Sequence, residues 1–357
     1  MADMFKNATK FILVTGLMAL IMLTGCTGSG MNENTDSTED LKQAQGEDLI
    51  TIGFSQVGAE SDWRKANTQS MIDTFTKEKG YELIFEDAQQ KQQNQITAIR
   101  TFIQREVDYI VVAPVTENGW DTVLEEARDA GIPVIIVDRQ VAVSNEKLFT
   151  CWVGSDFELE AAKACAWLKA YCDKQRIKQD DVNIVDIQGT IGSSAQIGRS
   201  KGLKDAVRRN GWHLLDEVPG EYTQAKGREA TARVLEKYKN VNVIYCENDN
   251  EAFGALEAID AAGRRAGSNI KAGEIMVISF DGVSQLAIDD LRAGKISCIG
   301  ECNPLHGPRV RKLIENIENG VTPEKYEYVD EDIFSAYEEL TEISVDGKSY
   351  PVKILGK

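Results

Sequence analysis

From residue 49 onward the chain alternates short, β-branched apolar runs with longer stretches whose apolar positions recur at helical spacing. Runs at 49–54, 81–85, 109–113 and 133–137 predict strands, and the stretches 62–79, 92–105 and 119–130 between them predict amphipathic helices. The alternation resumes with strands at 150–154, 182–187, 212–218, 243–246, 275–280 and 296–299, separated by helices at 157–172, 194–210, 224–238, 251–266 and 284–293. A further helix is expected at 304–319, whereas 326–352 reads as irregular strands and loops. Apolar strands separated by helices indicate parallel sheets covered on both faces, since each strand buries both of its sides. Two such series predict an α/β protein of two doubly wound parallel-sheet lobes joined by a hinge, with a cleft between them. The length of 357 residues agrees, because single cores stop growing near ~250–300 residues.

Before residue 48 the pattern changes. Lys6 and Lys10 precede an apolar run over 11–23, followed by Leu23-Thr24-Gly25-Cys26. A short basic region, an apolar segment too short to span a membrane comfortably and small residues at a cut site predict a signal peptide over 1–25. The sequence L-T-G-C resembles a bacterial lipobox, which makes Cys26 the expected lipid attachment site. Residues 26–47 are mostly polar and small, cannot bury enough surface to offset their ordering entropy, and are expected to form a tether. The fold is therefore divided into a first lobe of 48–154 plus 303–330 and a second lobe of 155–302. Residues 331–357 form a tail that completes the hinge and lobes, and the chain is expected to cross near 154–156, near 301–303 and once more in the tail.

Composition narrows the partners. A net charge of −17 without any sizeable basic cluster excludes a nucleic-acid partner, which would need a face that neutralises phosphates. Two histidines, His213 and His306, cannot build a histidine-rich metal site and leave no spare base for a nucleophilic triad; they read as surface or packing residues. None of the seven cysteines forms a C-x-x-C pair, so the six after Cys26 read as buried small hydrophobes, with a disulfide among them left open.

Candidate chemistry gathers where the predicted strands end. The first leads through Ser55-Gln56 to Glu60-Ser61-Asp62-Trp63-Arg64, the fourth ends at Asp138-Arg139, and others end at Gln188-Gly189, Glu247-Asn248-Asp249, Asp281-Gly282 and Glu301. In open α/β sheets ligands bind at the carboxyl ends of strands, so these groups converge on the cleft. Carboxylates and amides accept hydroxyl hydrogen bonds, Arg donates through a fixed fork, and rings such as Trp63 and Tyr222 cover apolar faces. Polar edges with apolar faces describe a sugar. Taken singly, Asp138, Asp249 and Asp281 read equally well as helix N-caps. A phosphate loop and a nucleophile elbow both fail on spacing, although the G-T-I-G-S-S-A tract could offer helix N-terminal amides.

The segments GFSQVGAESDWR, DAQQKQQNQITAIRTF, VAPVTENGW, VDR, IQGTIGSSAQIGR, NDN and SFDGV resemble those of periplasmic sugar-binding proteins of the ribose and galactose type, which feed ABC transporters. Within that family they are most similar to the galactofuranose-binding proteins, and the resemblance runs from about residue 51 to 326. It implies the type I periplasmic binding protein fold, no enzymatic activity, no cofactor and no metal. It also implies a ligand site of Ser55, Trp63, Arg64, Asp138, Arg139, Arg199, Tyr222, Asn248, Asp281 and Glu301. The implied partners are a monosaccharide, the transmembrane subunits of an ABC permease and, through Cys26, the membrane, with the protein itself a monomer. Relatives of this fold bind several sugars and autoinducer-2, and some present ligand to receptor kinases, so transport and sensing both remain open at this point. A sugar-responsive repressor is disfavoured by the signal peptide and by the lack of a helix-turn-helix pattern before residue 48.

Overall fold

The computed structural model describes residues 49–356; the signal peptide, lipobox and tether expected from the sequence lie outside the described residues. In chain order the first elements are β1 (Ile50–Gln56), α1 (Asp62–Thr74), β2 (Tyr81–Asp87), α2 (Gln92–Gln104), β3 (Tyr109–Val112), α3 (Asp121–Asp129), β4 (Val134–Val137) and β5 (Cys151–Gly154). They continue with α4 (Phe157–Lys174), β6 (Asn183–Gln188), α5 (Ser194–Asn210), β7 (His213–Pro219), α6 (Gln224–Lys237), β8 (Val243–Cys246), α7 (Asp249–Ala261), β9 (Met276–Asp281), α8 (Gln285–Arg292) and β10 (Cys298–Glu301). The last are α9 (His306–Glu318), β11 (Tyr326–Tyr328), β12 (Ile333–Ser335), β13 (Glu342–Val345) and β14 (Lys348–Ile354).

The strands form two sheets. The first has the order β11-β5-β4-β3-β1-β2 and is parallel throughout. The second has the order β13-β14-β12-β10-β9-β8-β6-β7; its β10-β9-β8-β6-β7 portion is parallel, and β12 runs antiparallel to β10. Each sheet carries an apolar cluster on both faces, because β-branched strand residues point alternately up and down against helices. The chain passes between sheets three times: from β5 into α4, from β10 into α9, which packs on α1, and from β11 into β12.

The tail is more regular than the pattern suggests. It supplies the edge strand β11 to the first sheet and three strands to the second, with β14 parallel to β12 and antiparallel to β13. These strands are short or half exposed, so they lack the continuous apolar signal of the inner strands. The helix expected over 62–79 ends at Thr74, because Phe75 leaves helical geometry (φ −102°, ψ 74°) and packs edge-on against Tyr81 with ring centroids 5.1 Å apart. The helix expected to reach 266 stops at Ala261, two residues before Gly263 takes the left-handed φ of +67°.

Helices α6 and α7 approach so closely that glycine is required at the contact. A Cβ on Gly254 would lie 2.2 Å from the Gln224 carbonyl oxygen, and one on Gly227 would lie 2.7 Å from Glu251 Cα. This contact fixes the start of α7, where Asn248 stands. The six cysteines from Cys151 to Cys302 are free and buried, as small hydrophobes would be. Among the described residues no helix is long and apolar enough to cross a membrane.

Candidate functional site

The carboxyl ends of both sheets face a common narrow cavity, whose walls leave about 30 Å³ open to the centre of a water-sized sphere. Its walls are Glu60, Ser61, Trp63, Arg64, Asp138 and Arg139 from the first lobe, Phe157, Ala195, Arg199, Tyr222, Asn248 and Asp281 from the second, and Cys302 from a crossing. Direct hydrogen bonds close the lobes around it. Asp62 N donates to Asn250 Oδ1 at 2.9 Å, Gln140 N to Ser194 Oγ at 2.8 Å, and Glu117 N to the Gly192 carbonyl at 3.0 Å.

On the first lobe, Ser61 caps α1 by accepting from Arg64 N at 3.1 Å, which sets Trp63 and Arg64 on the first helical turn above β1. Arg64 Nη2 donates to Asp138 Oδ2 at 2.8 Å, Nη1 to Gln56 Oε1 at 3.1 Å and Nε to Glu60 Oε1 at 3.3 Å. Its guanidinium also sits 4.6 Å from the Trp63 ring centroid. Burial opposes its charge, but Asp138 and Glu60 outweigh that and hold its pKa above the ordinary arginine value. Arg139 donates to the Val115 carbonyl at 3.1 Å and lies 5.2 Å from the Tyr222 ring centroid; burial, then the neighbouring Arg64, lower its pKa. Two cations therefore face two carboxylates, and this wall is close to neutral.

On the second lobe, Arg199 Nε donates to Glu160 Oε2 at 2.9 Å and its Nη2 lies 3.7 Å from Asp281 Oδ1. Burial pushes Asp281 well above the carboxylate range, and Arg199 only partly offsets this. Asn248 caps α7 by accepting from Glu251 N at 2.8 Å and donates to the Tyr222 carbonyl at 3.2 Å, which leaves one amide hydrogen for the cavity. The Tyr222 ring lies over Gly189, where a Cβ would come within 1.9 Å of it, so only glycine admits the ring there. Tyr222 Oη is buried without a partner among the described residues.

Three wall residues hold left-handed backbones: Asp138 (φ +61°), Tyr222 (φ +58°) and Asp281 (φ +104°). Such conformations cost ~1–3 kcal/mol each and persist where surrounding structure over-determines them, as at ligand sites. Trp63, Phe157, Ala195, Tyr222 and Cys302 form one apolar cluster between the lobes. The cavity thus offers donors and acceptors in balanced charge around aromatic surface, which suits a small neutral polyol better than an anion.

Eight of the ten residues singled out in the sequence line the cavity: Trp63, Arg64, Asp138, Arg139, Arg199, Tyr222, Asn248 and Asp281. Ser55 is not in the wall; it is fully buried in β1, and its Oγ has no partner among the described residues. Glu301 also stands outside the wall, where its Oε2 accepts from Asp332 N at 3.0 Å and clips two crossings together. Neither Asp138 nor Asp281 is a helix cap, and Asp249 accepts from Ser279 Oγ and from Gly282 N at 2.8 Å, bracing the turn that carries Asp281. The wall also includes Glu60 and Ser61, which the sequence offers only as the lead-in to Trp63, and Phe157, Ala195 and Cys302, which it does not offer at all. Ser61 carries an N-cap signal that was there to be read.

His213 is half exposed and within 3.1 Å of Asp180, whereas His306 is fully buried beside Trp63 with ring centroids 6.0 Å apart. Burial depresses the His306 pKa to about 4, and neither ring nitrogen has a partner among the described residues. A depressed histidine contributes stability that is full above its unfolded value of about 6.5 and is lost as pH falls through about 4. His306→Phe keeps the ring and removes the titration. The urea midpoint of the wild type is expected to fall more steeply between pH 6.5 and 4 than that of the variant, and parallel curves would refute this reading.

The periplasmic binding protein domain family matches residues 52–301. The galactofuranose-binding protein YtfQ of Escherichia coli is 35% identical over 281 residues, covering 77% of this chain and 85% of that protein. A Mycobacterium smegmatis protein solved in complex with beta-D-fucofuranose superposes with a TM-score of 0.76 at 34% identity, covering 81% of this chain and 92% of the other. The periplasmic component of the arabinose ABC transporter of Shewanella sp. ANA-3, bound to alpha- and beta-L-arabinofuranose, gives a TM-score of 0.73 at 35% identity, covering 80% and 91%. Two parallel-sheet lobes closed over a polar cavity and these matches across most of the chain lead to one conclusion: the chain belongs to the periplasmic binding protein family, whose members bind solutes rather than transform them.

Proposed function

We propose that the protein is a lipid-anchored, extracytoplasmic solute-binding protein that captures a monosaccharide by hinge closure and delivers it to an ABC importer. The sugar is a furanose, galactofuranose or a close relative including galactose. The observation that carries this reading is the closed cavity itself, in which Arg64 with Asp138 and Arg199 with Asp281 face each other across Trp63, Phe157 and Tyr222. Forked donors and carboxylates recognise hydroxyl patterns, and the rings cover C–H faces. The furanose-bound relatives support the ring form, and the lipobox at Cys26 supports anchoring.

Ligand binding to the native state raises stability by ~2.7 kcal/mol at 100 times the dissociation constant. A thermal-shift panel of galactose, fucose, arabinose and ribose is expected to raise Tm by several degrees for at least one sugar. Galactofuranose is a minor form of galactose in water, so galactose itself should respond only at high concentration. No shift with any pentose or hexose, together with silent calorimetry, would sink the proposal.

A further inference from the structure

One side chain touches all three crossings between the lobes. Glu331, on the third crossing, accepts through Oε1 from Ser155 Oγ of the first at 2.8 Å and from Asn303 N of the second at 2.6 Å. Its backbone carbonyl accepts from Lys163 Nζ at 2.6 Å. Beside it stand Glu160 of α4 and Cys302 of the second crossing, and the acidic oxygens and the thiol sulfur of this trio lie within 4.8 Å of one another. Glu160 is the carboxylate that grips Arg199: its Oε2 lies 2.9 Å from both Nε and Nη2. Its Oε1 is buried without a partner among the described residues.

Burial and mutual repulsion both disfavour ionising two carboxylates this close, and Glu160 and Glu331 are each almost fully shielded from solvent. Lys163 on α4, Arg199 on α5, Arg309 on α9, Asp281 on β9, Glu301 on β10 and Cys302 are the titratable groups that face the pair. Of the cations, Arg199 is engaged by Glu160 itself, Lys163 by a backbone carbonyl, and Arg309 by Asn303 Oδ1 and the Leu305 carbonyl. A carboxyl proton on Glu331, donated towards Glu160, supplies the missing partner.

We propose that Glu331 and Glu160 share one proton across the hinge, and that this protonated pair is the positioning device that ties the three crossings to Arg199 in the cavity. The folded protein then holds a proton that rising pH removes. Burial, then the adjacent Glu160, push Glu331 up to about 9 from an ordinary value of 4.5. Because the folded value is the higher one, the contribution to stability is complete below about 4.5 and is lost as pH rises through about 9.

Glu331→Gln keeps the acceptor for Ser155 and Asn303 and offers Glu160 a fixed N–H donor without a titration. Urea unfolding of ligand-free wild type and Glu331→Gln between pH 5 and 10 tests the proposal. The wild-type folding constant is expected to fall relative to the variant's by up to about tenfold per pH unit in the window below pH 9, the slope of one proton. Glu160→Gln flattens the profile as well, and stands in should Glu331→Gln fail to fold. Superimposable profiles for wild type and both variants overturn the proposal. So does a divalent cation that raises the Tm of the wild type at pH 7 and not that of Glu331→Gln, since Glu160 Oε1 would then serve a metal. The affinity arm alone rests on the sugar-binding reading: the sugar Kd of the wild type is expected to weaken above pH 9 more than that of Glu331→Gln. Absence of sugar binding at every pH sinks the proposed function and leaves the unfolding result standing.

Discussion

Arg64→Ala is expected to raise the sugar Kd at least ~30-fold and to lower the stability of the ligand-free protein by about 3–5 kcal/mol. The affinity figure corresponds to ~2 kcal/mol, the lower end for truncating a desolvated charged hydrogen-bond partner. The stability figure follows because Asp138, Glu60 and Gln56 all accept from this guanidinium in a wall that is almost fully buried, and removal leaves Asp138 without its hydrogen-bonded counter-charge and Glu60 with only the 3.8 Å contact to Arg139. The two effects can be separated. Arg64→Met with Asp138→Asn removes both charges at once, and asparagine tolerates the left-handed backbone at position 138. The double variant is expected to recover much of the lost stability in denaturant titrations while calorimetry still finds binding impaired. Recovery of both would make Arg64 a structural ion-pair partner only, and wild-type affinity in Arg64→Ala would remove it from the ligand site.

What could be read from the sequence divides along physical lines. The inner strands were legible because a strand buried on both faces must be apolar along its whole length, and β3, β4 and β8 are. The cavity wall was legible where an arginine stands beside an aromatic or an acidic residue beyond a strand end, at Trp63-Arg64 on the first turn of α1 and at Asp138-Arg139. It was not legible where the residue is ordinary and only its place is special. Phe157 opens a helix just after a crossing, and Cys302 reads as a packing residue, yet both face the cavity because the crossings converge there. Glu301 shows the converse: a carboxylate at a strand end reads as a ligand group, but a one-residue advance along the crossing points Cys302 inward and leaves Glu301 to bind Asp332 N. The short strands β11, at an edge, and β12, between β10 and β14, are three residues each and get their register from their neighbours, not from their own pattern. The hinge carboxyl pair was invisible for a related reason, since Glu160 and Glu331 are 171 positions apart and meet only when α4 docks beside the third crossing.

Asp281→Gly is expected to move affinity and stability in opposite directions. The native Asp281 backbone sits at φ +104°, a conformation open to glycine and costly for any other residue. Its carboxyl is buried, its pKa is driven well above the carboxylate range, and its nearest counter-charge, Arg199, is 3.7 Å away and already held by Glu160. The position is kept by its surroundings: Cys302 N donates to the Asp281 carbonyl at 3.1 Å, and Asp249 braces the following turn through Gly282 N. Glycine keeps both backbone anchors, relieves the strain and removes the buried acid, at the cost of ~0.5–1 kcal/mol of chain entropy. The net expectation is a ligand-free protein that is more stable by about 1 kcal/mol in urea titrations and binds its sugar at least ~30-fold more weakly. A variant that loses stability would mean that the carboxylate is a structural partner of Arg199. A variant that gains stability and keeps its affinity would mean that the strain at Asp281 serves no ligand, and the proposed acceptor in the second lobe would have to be sought elsewhere in the wall.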